Sequence, residues 1–343
     1  MSQHPRTAFR ILGNDAIRAA LPMADCIELM MQTMSAVARG EAQLPLRSVM
    51  PLSNEQNLLG IMPGALAEPA VFGAKLVCLF PQNPSRGLSS HTGVVVLFDP
   101  ASGQLRALLD AAEITALRTA AASAAASRAL ARKDAGDLAI LGTGEQALAH
   151  LTAMATVHRL RRVRVWVRSR GNAATFADRA SSLCNLPVEV HGTVESSVHG
   201  ADLICTTTAS KDPILRGEWL SPGAHINLVG SSIPTTSEID VEGVRRARYF
   251  VDHHASALAL AGELKRAMEA GMVDADHIQG EIGDVHLGRR VGRRDGSDIT
   301  IYKSLGSAAQ DLAAAHAVYS AAERLGLGTW GNLSFSGRSH SDE

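Results

Sequence analysis

The sequence predicts an α/β protein: a doubly wound parallel sheet joined to an α+β domain made from the N-terminal part and a C-terminal helix. Three observations lead there. A short apolar run, Asp137-Leu138-Ala139-Ile140-Leu141, ends in Gly142-Thr143-Gly144-Glu145-Gln146-Ala147, and a helix-like pattern follows. After Gly136 short β-rich runs alternate with helical stretches, the pattern of a parallel sheet wound on both faces. Before it, β-rich runs broken by Pro, Gly, Ser and Asn read as one antiparallel sheet.

Taken in order, residues Asn14 to Met34 show helical apolar spacing, with Pro22 near a helix start. Leu58 to Met62, Phe72 to Phe80, Gly93 to Asp99 and Gln104 to Leu109 read as strands, the last two joined by the turn Asp99-Pro100-Ala101-Ser102-Gly103. Ala111 to Lys133 is alanine-dominated without Gly or Pro, hence a long helix. Strands are expected at Leu138–Leu141, Val163–Val167, Val188–Val190, Leu203–Thr206, His225–Val229 and Tyr249–Val251. From about Thr300 to Ala322 the chain reads as helix returning to the first domain, and from Ser334 as a loose polar tail. The expected domains are thus 1–119 with 301–333, 120–300, and the tail 334–343.

The chain has 343 residues, enough for two domains; 46% are hydrophobic and 20% charged, as in an ordinary globular protein. A formal net charge of −1 without charged blocks argues against nucleic acid or a membrane surface as partner. The four cysteines (Cys26, Cys78, Cys184, Cys205) form no C-x-x-C pair, so neither a disulfide framework nor a zinc site is expected. The N-terminal residues form no apolar signal region, and no stretch reaches the roughly 20 apolar residues that span a bilayer, so a cytoplasmic location is expected.

The glycine turn carries the first functional expectation. In such a strand–turn–helix unit the first glycine, Gly142, permits the tight turn. The second, Gly144, lets backbone N–H groups approach a pyrophosphate, and the small Ala147 lets helix and strand pack closely. A helix N-terminus favours the anion. A Rossmann-type fold with a nicotinamide dinucleotide as cofactor is therefore expected. In NAD sites an acidic residue ends the second strand, about 20 residues past the glycines. Here that strand runs into Arg168-Ser169-Arg170, two guanidinium groups and a hydroxyl that suit a 2′-phosphate. NADPH is the expected cofactor, with NADH as the alternative.

Three cations stand out. Arg118 is a lone arginine among alanines, either solvated or gripping a carboxylate in bidentate fashion. Lys75, one of only five lysines, has apolar neighbours on both sides and either snorkels to water or points into a functional cleft. Burial or nearby arginines would lower its pKa towards a range useful for proton transfer. Arg47, in Leu44-Pro45-Leu46-Arg47-Ser48, is ambiguous by itself, as is His91 in a Gly/Ser-rich loop. The adjacent His253 and His254 cannot converge on one metal, and no G-x-S-x-G elbow is present.

Pro45-Leu46-Arg47, Gly73-Ala74-Lys75, Leu117 to Ser123, Gly142 to Ala147, Thr206-Thr207-Thr208, Gly223 to Asn227, Tyr302 to Gly306 and Gln310-Asp311 occur in an order and spacing that resembles the ornithine cyclodeaminase/mu-crystallin family over nearly the full chain. The resemblance implies a homodimer built through the N-terminal domain and a Rossmann domain from roughly Ala120 to Thr300. It implies that Arg47, Lys75 and Arg118 surround a substrate carboxylate. It adds Thr119, Thr143, Glu145, Gln146, Thr206, Thr207, Val229, Gly230, Ser231, Lys303 and Gly306 to the cofactor site. The shared chemistry is hydride transfer between nicotinamide and the α-carbon of an amino or imino acid.

Cyclodeaminases of that family carry a Gly-Gly-Asp-x-Pro-like turn whose aspartate engages the substrate amine. Here the turn is Gly230-Ser231-Ser232-Ile233-Pro234, and serine is neither a carboxylate base nor a counter-charge for an ammonium. The resemblance thus narrows to the ketimine reductase branch, with small cyclic imino acids as substrates and Lys75 as the candidate proton donor. A cyclodeaminase, an alanine-type dehydrogenase or a non-catalytic NADPH-binding protein are the alternatives.

Overall fold

The computed structural model describes residues 8–52, 57–168, 171 and 173–333. Ser169 and Arg170, expected at the cofactor, and the expected loose tail from Ser334 lie outside the described residues. In chain order the strands are β1 (Ala8–Leu12), β2 (Ala42–Gln43), β3 (Ser48–Pro51), β4 (Leu58–Leu66), β5 (Val71–Leu79), β6 (His91–Phe98) and β7 (Leu105–Asp110). From Asp137 they continue as β8 (Asp137–Leu141), β9 (Arg162–Trp166), β10 (Val188–His191), β11 (Leu203–Thr206) and β12 (His225–Leu228). The last are β13 (Arg248–Val251), β14 (Ile278–Glu281), β15 (Thr300–Lys303) and β16 (Thr329–Asn332).

The chain divides into two compact units. The first takes residues up to Pro22, Ala42–Thr115 and the chain from Asp311 onwards. Its sheet runs β16-β1-β7-β6-β5-β4-β2, with β3 pairing β4. The expected strands, β4 to β7, pair antiparallel, and β1, which pairs β7 in parallel, makes the whole sheet mixed. In β5 the register sets Lys75 opposite Met62 on one side and Val95 on the other. Met62 and Val95 are buried, so the period of two turns the lysine inward.

The second unit holds a wholly parallel sheet in the order β10-β9-β8-β11-β12-β15-β13-β14. The chain winds outward from β8 through β9 to β10, then returns to β11 on the other flank of β8. That reversal is the switch point where such sheets bind ligands, at the carboxyl ends of the strands. Leu138, Ala139, Ile140 and Leu141 are fully buried, as a strand covered on both faces demands.

Two expectations are corrected here. Thr300–Lys303 is not the start of a helix but the strand β15, seated between β12 and β13; the helix is Ala308–Leu325. Residues 301–310 therefore go with the second unit rather than the first. The strand hides two polar side chains, Thr300 and Lys303, both fully buried, which disguises it in sequence. The helix Met23–Ala38 also packs with the second unit, where Met34 joins Ala126, Leu130, Phe250, Ile282 and Tyr302 in one apolar cluster.

Candidate active site

The glycine turn follows β8 at the switch point. Gly142 has φ +119°, and a Cβ there would lie 2.9 Å from the Thr207 carbonyl oxygen. Only glycine fits both the angle and the approach. Gly144 is the N-cap of the helix Glu145–Val157, at φ −81°, and no side chain caps that helix end. A Cβ on Gly144 would meet no atom of the described residues within 4 Å, its chain neighbours aside. Neither backbone strain nor internal packing asks for glycine there, whereas a phosphate approaching the N–H groups does. Ala147 is fully buried one turn further on.

A buried polar chain holds this helix from behind. His150 Nδ1 lies 2.7 Å from the Gln146 carbonyl oxygen, so it carries the proton and donates. Its Nε2, 3.0 Å from Ser123 Oγ, then accepts from that hydroxyl. Ser127 Oγ donates to the Ser123 carbonyl (2.8 Å), and Asn227 Nδ2 donates to Ser127 Oγ (2.9 Å). Burial lowers the His150 pKa to about 4, so the ring is neutral. Thr119 is buried on the same Ala111–Leu130 helix, and its hydroxyl has no partner among the described residues. A buried hydroxyl left so is costly, which fits a bound ligand as its partner. The open space at Gly144 and the Thr119 hydroxyl thus both fit a dinucleotide.

The ends of β11 and β12 carry the next expected residues. Glu238, fully buried and not foreseen from the sequence, accepts from Thr206 Oγ1 (2.6 Å) and from Gly230 N (2.7 Å) on one oxygen. Thr208 N and Thr208 Oγ1, both at 2.7 Å, donate to the other. Burial pushes its pKa up, against the pull of these hydrogen bonds and of Lys303. Lys303, fully buried, donates to the Ser231 carbonyl and pairs with Glu263 at 2.9 Å. Its charge is engaged inside the fold, so it holds the Ser231 turn. At the end of the second strand Arg168 is exposed, and the sequence that follows, Ser169-Arg170, brings no Asp or Glu.

In the first unit Lys75 Nζ lies 2.9 and 2.8 Å from the two carboxylate oxygens of Asp311, and 3.3 Å from Thr115 Oγ1. The pair is nearly solvent-free, with side-chain exposures of 4% and 0%. The sequence names burial and arginines as what could act on Lys75; the structure adds a buried carboxylate in direct contact with its ammonium. Arg47 is half-buried just before β3, and His91 is exposed at the start of β6.

In the second unit the buried Arg118 donates to Gln310 Oε1 at 2.9 Å. Its guanidinium lies over Gly306, whose φ is +76°; a Cβ there would come within 2.5 Å of Arg118 Nη1. Gly306 N in turn donates to the buried Asp252. Asp311 and Gln310 lie within the sequence motif, yet nothing local identifies them as the partners of Lys75 and Arg118. The only signal is an amide and an acid at the head of an alanine-rich helix.

This fold and site define a dinucleotide-binding α/β protein of Rossmann type with a second, mixed-sheet unit. The chain belongs to the ornithine cyclodeaminase/mu-crystallin family, whose model matches residues 10–325. It is 36% identical over 305 residues to the mouse (Mus musculus) ketimine reductase mu-crystallin, covering 89% of this chain and 93% of that protein. It is 33% identical over 285 residues to a Delta(1)-pyrroline-2-carboxylate reductase of Bacillus cereus, covering 83% of this chain and 87% of that one. Among solved structures it resembles the Thermococcus litoralis Delta(1)-pyrroline-2-carboxylate reductase in complex with NADH and L-proline. That likeness has a TM-score of 0.91 and 30% identity, and covers 94% of this chain and 99% of the other.

Proposed function

We propose that the chain is an NAD(P)H-dependent oxidoreductase of C=N bonds that reduces small cyclic imino acids, 1-pyrroline-2-carboxylate to L-proline and 1-piperideine-2-carboxylate to L-pipecolate. The observation that carries this reading is the similarity, over 89% and 83% of the chain, to two proteins named for ketimine and pyrroline-2-carboxylate reduction. Ser232 supports it against cyclisation, because the turn lacks the acid that a second amine would need.

Gly142, Thr143, Gly144, Glu145, Gln146, Ala147 and Thr119 would hold the pyrophosphate side of the dinucleotide. Arg168, with Ser169 and Arg170, would hold a 2′-phosphate, which favours NADPH while leaving NADH usable. Thr206, Thr207, Val229, Gly230, Ser231 and Gly306 would line the nicotinamide side, and Lys303 would act there through the Ser231 carbonyl. When bound, the dinucleotide supplies a hydride to the imine carbon. Arg47, Lys75 and Arg118 would clamp the substrate carboxylate, with Lys75 kept cationic by Asp311 and Arg118 oriented by Gln310. Such positioning makes up much of the rate enhancement in a reaction between two bound partners.

A homodimer and a cytoplasmic location belong to the same proposal. The exposed apolar side chains Leu46, Val49, Met50 and Ile61 on and beside β3 and β4 support a partner at these strands. The decisive experiment follows oxidation of NADPH and of NADH with each cyclic imino acid, beside an ornithine control. Turnover on the imines without ammonia release from ornithine is expected. Ammonia release from ornithine, or tight NADPH binding with no turnover on any imine, would overturn the assignment.

A further inference from the structure

Glu238 belongs to none of the motifs above, yet it touches two of them. Its Oε2 takes Gly230 N and Thr206 Oγ1, and its Oε1 takes Thr208 N and Thr208 Oγ1, all between 2.6 and 2.7 Å. The carboxylate is fully buried. Two of the donors are backbone N–H groups, one from each loop, and a backbone N–H can only donate. Both carboxylate oxygens must therefore be acceptors. The loops are also packed to their limit: a Cβ on Gly230 would sit 2.0 Å from the Thr208 carbonyl oxygen and 2.6 Å from Glu238 Oε1. On the far side of the turn Lys303 grips the Ser231 carbonyl and Ser231 Oγ donates to the Thr236 carbonyl at 2.6 Å.

In a sheet of this kind the two halves of a dinucleotide lie on opposite sides of the switch point. On the proposed function, the glycine turn and Arg168 would serve the half built on β8 and β9, and the loops after β11 and β12 the other half, the reactive one. We propose that Glu238 is a positioning residue for the nicotinamide ring: it staples the Thr206–Thr208 and Val229–Ser231 loops together and so fixes the floor on which the ring lies. This rests on the reading that the second unit binds a nicotinamide dinucleotide, but not on the identity of the imine. Glu238 leaves the pyrophosphate turn and the adenosine side untouched.

Glu238→Gln tests this. An amide has one acceptor and one donor end, so its NH2 must face the N–H of either Thr208 or Gly230, and one loop is released. Calorimetric titrations with ADP-ribose and with NADH or NADPH are compared in wild type and variant, together with the emission of the bound reduced nicotinamide. ADP-ribose affinity is expected to stay within about twofold. Affinity for the whole reduced dinucleotide should fall about tenfold or more, bound-nicotinamide emission should move towards that of free cofactor, and kcat should fall while KM for the imine changes little. These ranges correspond to loss of one hydrogen bond to a charged group. A merely structural role would weaken both ligands alike. Should E238Q not fold, Thr208→Val, which removes one hydroxyl donor and keeps the backbone one, is expected to give the same pattern at about threefold to tenfold. Wild-type protein that binds no dinucleotide would sink the proposed function and this inference together. Normal wild-type binding, with variants that match it in emission, affinity and kcat, would overturn this inference alone.

Discussion

The buried pair of Lys75 and Asp311 makes a sharp prediction. Consider Asp311→Asn. The ammonium keeps its burial but loses a carboxylate at 2.8 Å. At an effective dielectric of about 20 that contact is worth about 6 kcal/mol of gross attraction. Removing one partner of a buried pair typically costs about 3–5 kcal/mol. Neutralisation sets a ceiling: with an unfolded pKa of about 10.4, shedding the Lys75 proton at pH 7 costs about 4.6 kcal/mol. The two routes converge on a loss of about 3–5 kcal/mol at neutral pH.

The ceiling also fixes a sign. If Lys75 is neutral in the folded variant and charged in the unfolded chain, the unfolded state binds one more proton. Stability of D311N then rises with pH by about 1.4 kcal/mol per unit between pH 6 and 9, whereas the charged pair in wild type gives no such slope. Urea unfolding at several pH values measures it, and a double-mutant cycle with Lys75→Met isolates the coupling. A loss below about 1 kcal/mol with no pH slope would show that the ammonium does not depend on Asp311, and the account of Lys75 as a held cation would fail.

Four further outcomes are expected. Gly306→Ala places a side chain at φ +76° against the Arg118 guanidinium; the strain of about 1–2 kcal/mol should appear as a fivefold to thirtyfold rise in imine KM, and an unchanged KM would detach Arg118 from the substrate. Arg168→Ala should raise KM for NADPH about tenfold while leaving that for NADH unchanged; equal effects on both would remove the 2′-phosphate role. His150, His225 and His286 have pKa values lowered by burial to about 4, 3 and 4. Below pH 6.5 the unfolded chain binds protons that the folded one does not, so stability falls with acid, by about 1 kcal/mol per histidine between pH 6 and 5; a urea midpoint equal at pH 7 and 5 would contradict this. Ile61→Lys should shift the sedimenting species from dimer to monomer, and an unaltered dimer would move the interface elsewhere.

The glycine turn was legible because its chemistry is local: strand, turn and helix lie within a few residues, and each residue type has a stated reason. The core strands were legible because strands covered on both faces are apolar throughout. What escaped were partners distant in sequence. Lys75 could be singled out as a buried cation, but Asp311 lies 236 residues away, and Gln310 lies 192 residues from Arg118. Glu238 sits in an unremarkable Ser-Glu-Ile-Asp stretch, and only the folded β11 and β12 ends reveal its four donors. The strand β15 is hidden in the sequence for the same reason: its buried Lys303 pairs with Glu263, 40 positions earlier.

Asp311 bears on how the imine acquires its proton. As a general acid Lys75 would have to surrender a proton and give up its ion pair with the buried Asp311. That penalty is of the same order as breaking the pair by mutation, about 3–5 kcal/mol, and it would be added to the barrier when hydride moves. As a fixed cation holding a carboxylate, Lys75 incurs no such cost, because its charge never changes. Arg118, whose guanidinium donates to Gln310 Oε1, likewise keeps its proton. On the proposed function, an imine that arrives already protonated is therefore the substrate that a lysine held as a cation would serve best, because its carbon is electrophilic before any enzyme proton is spent.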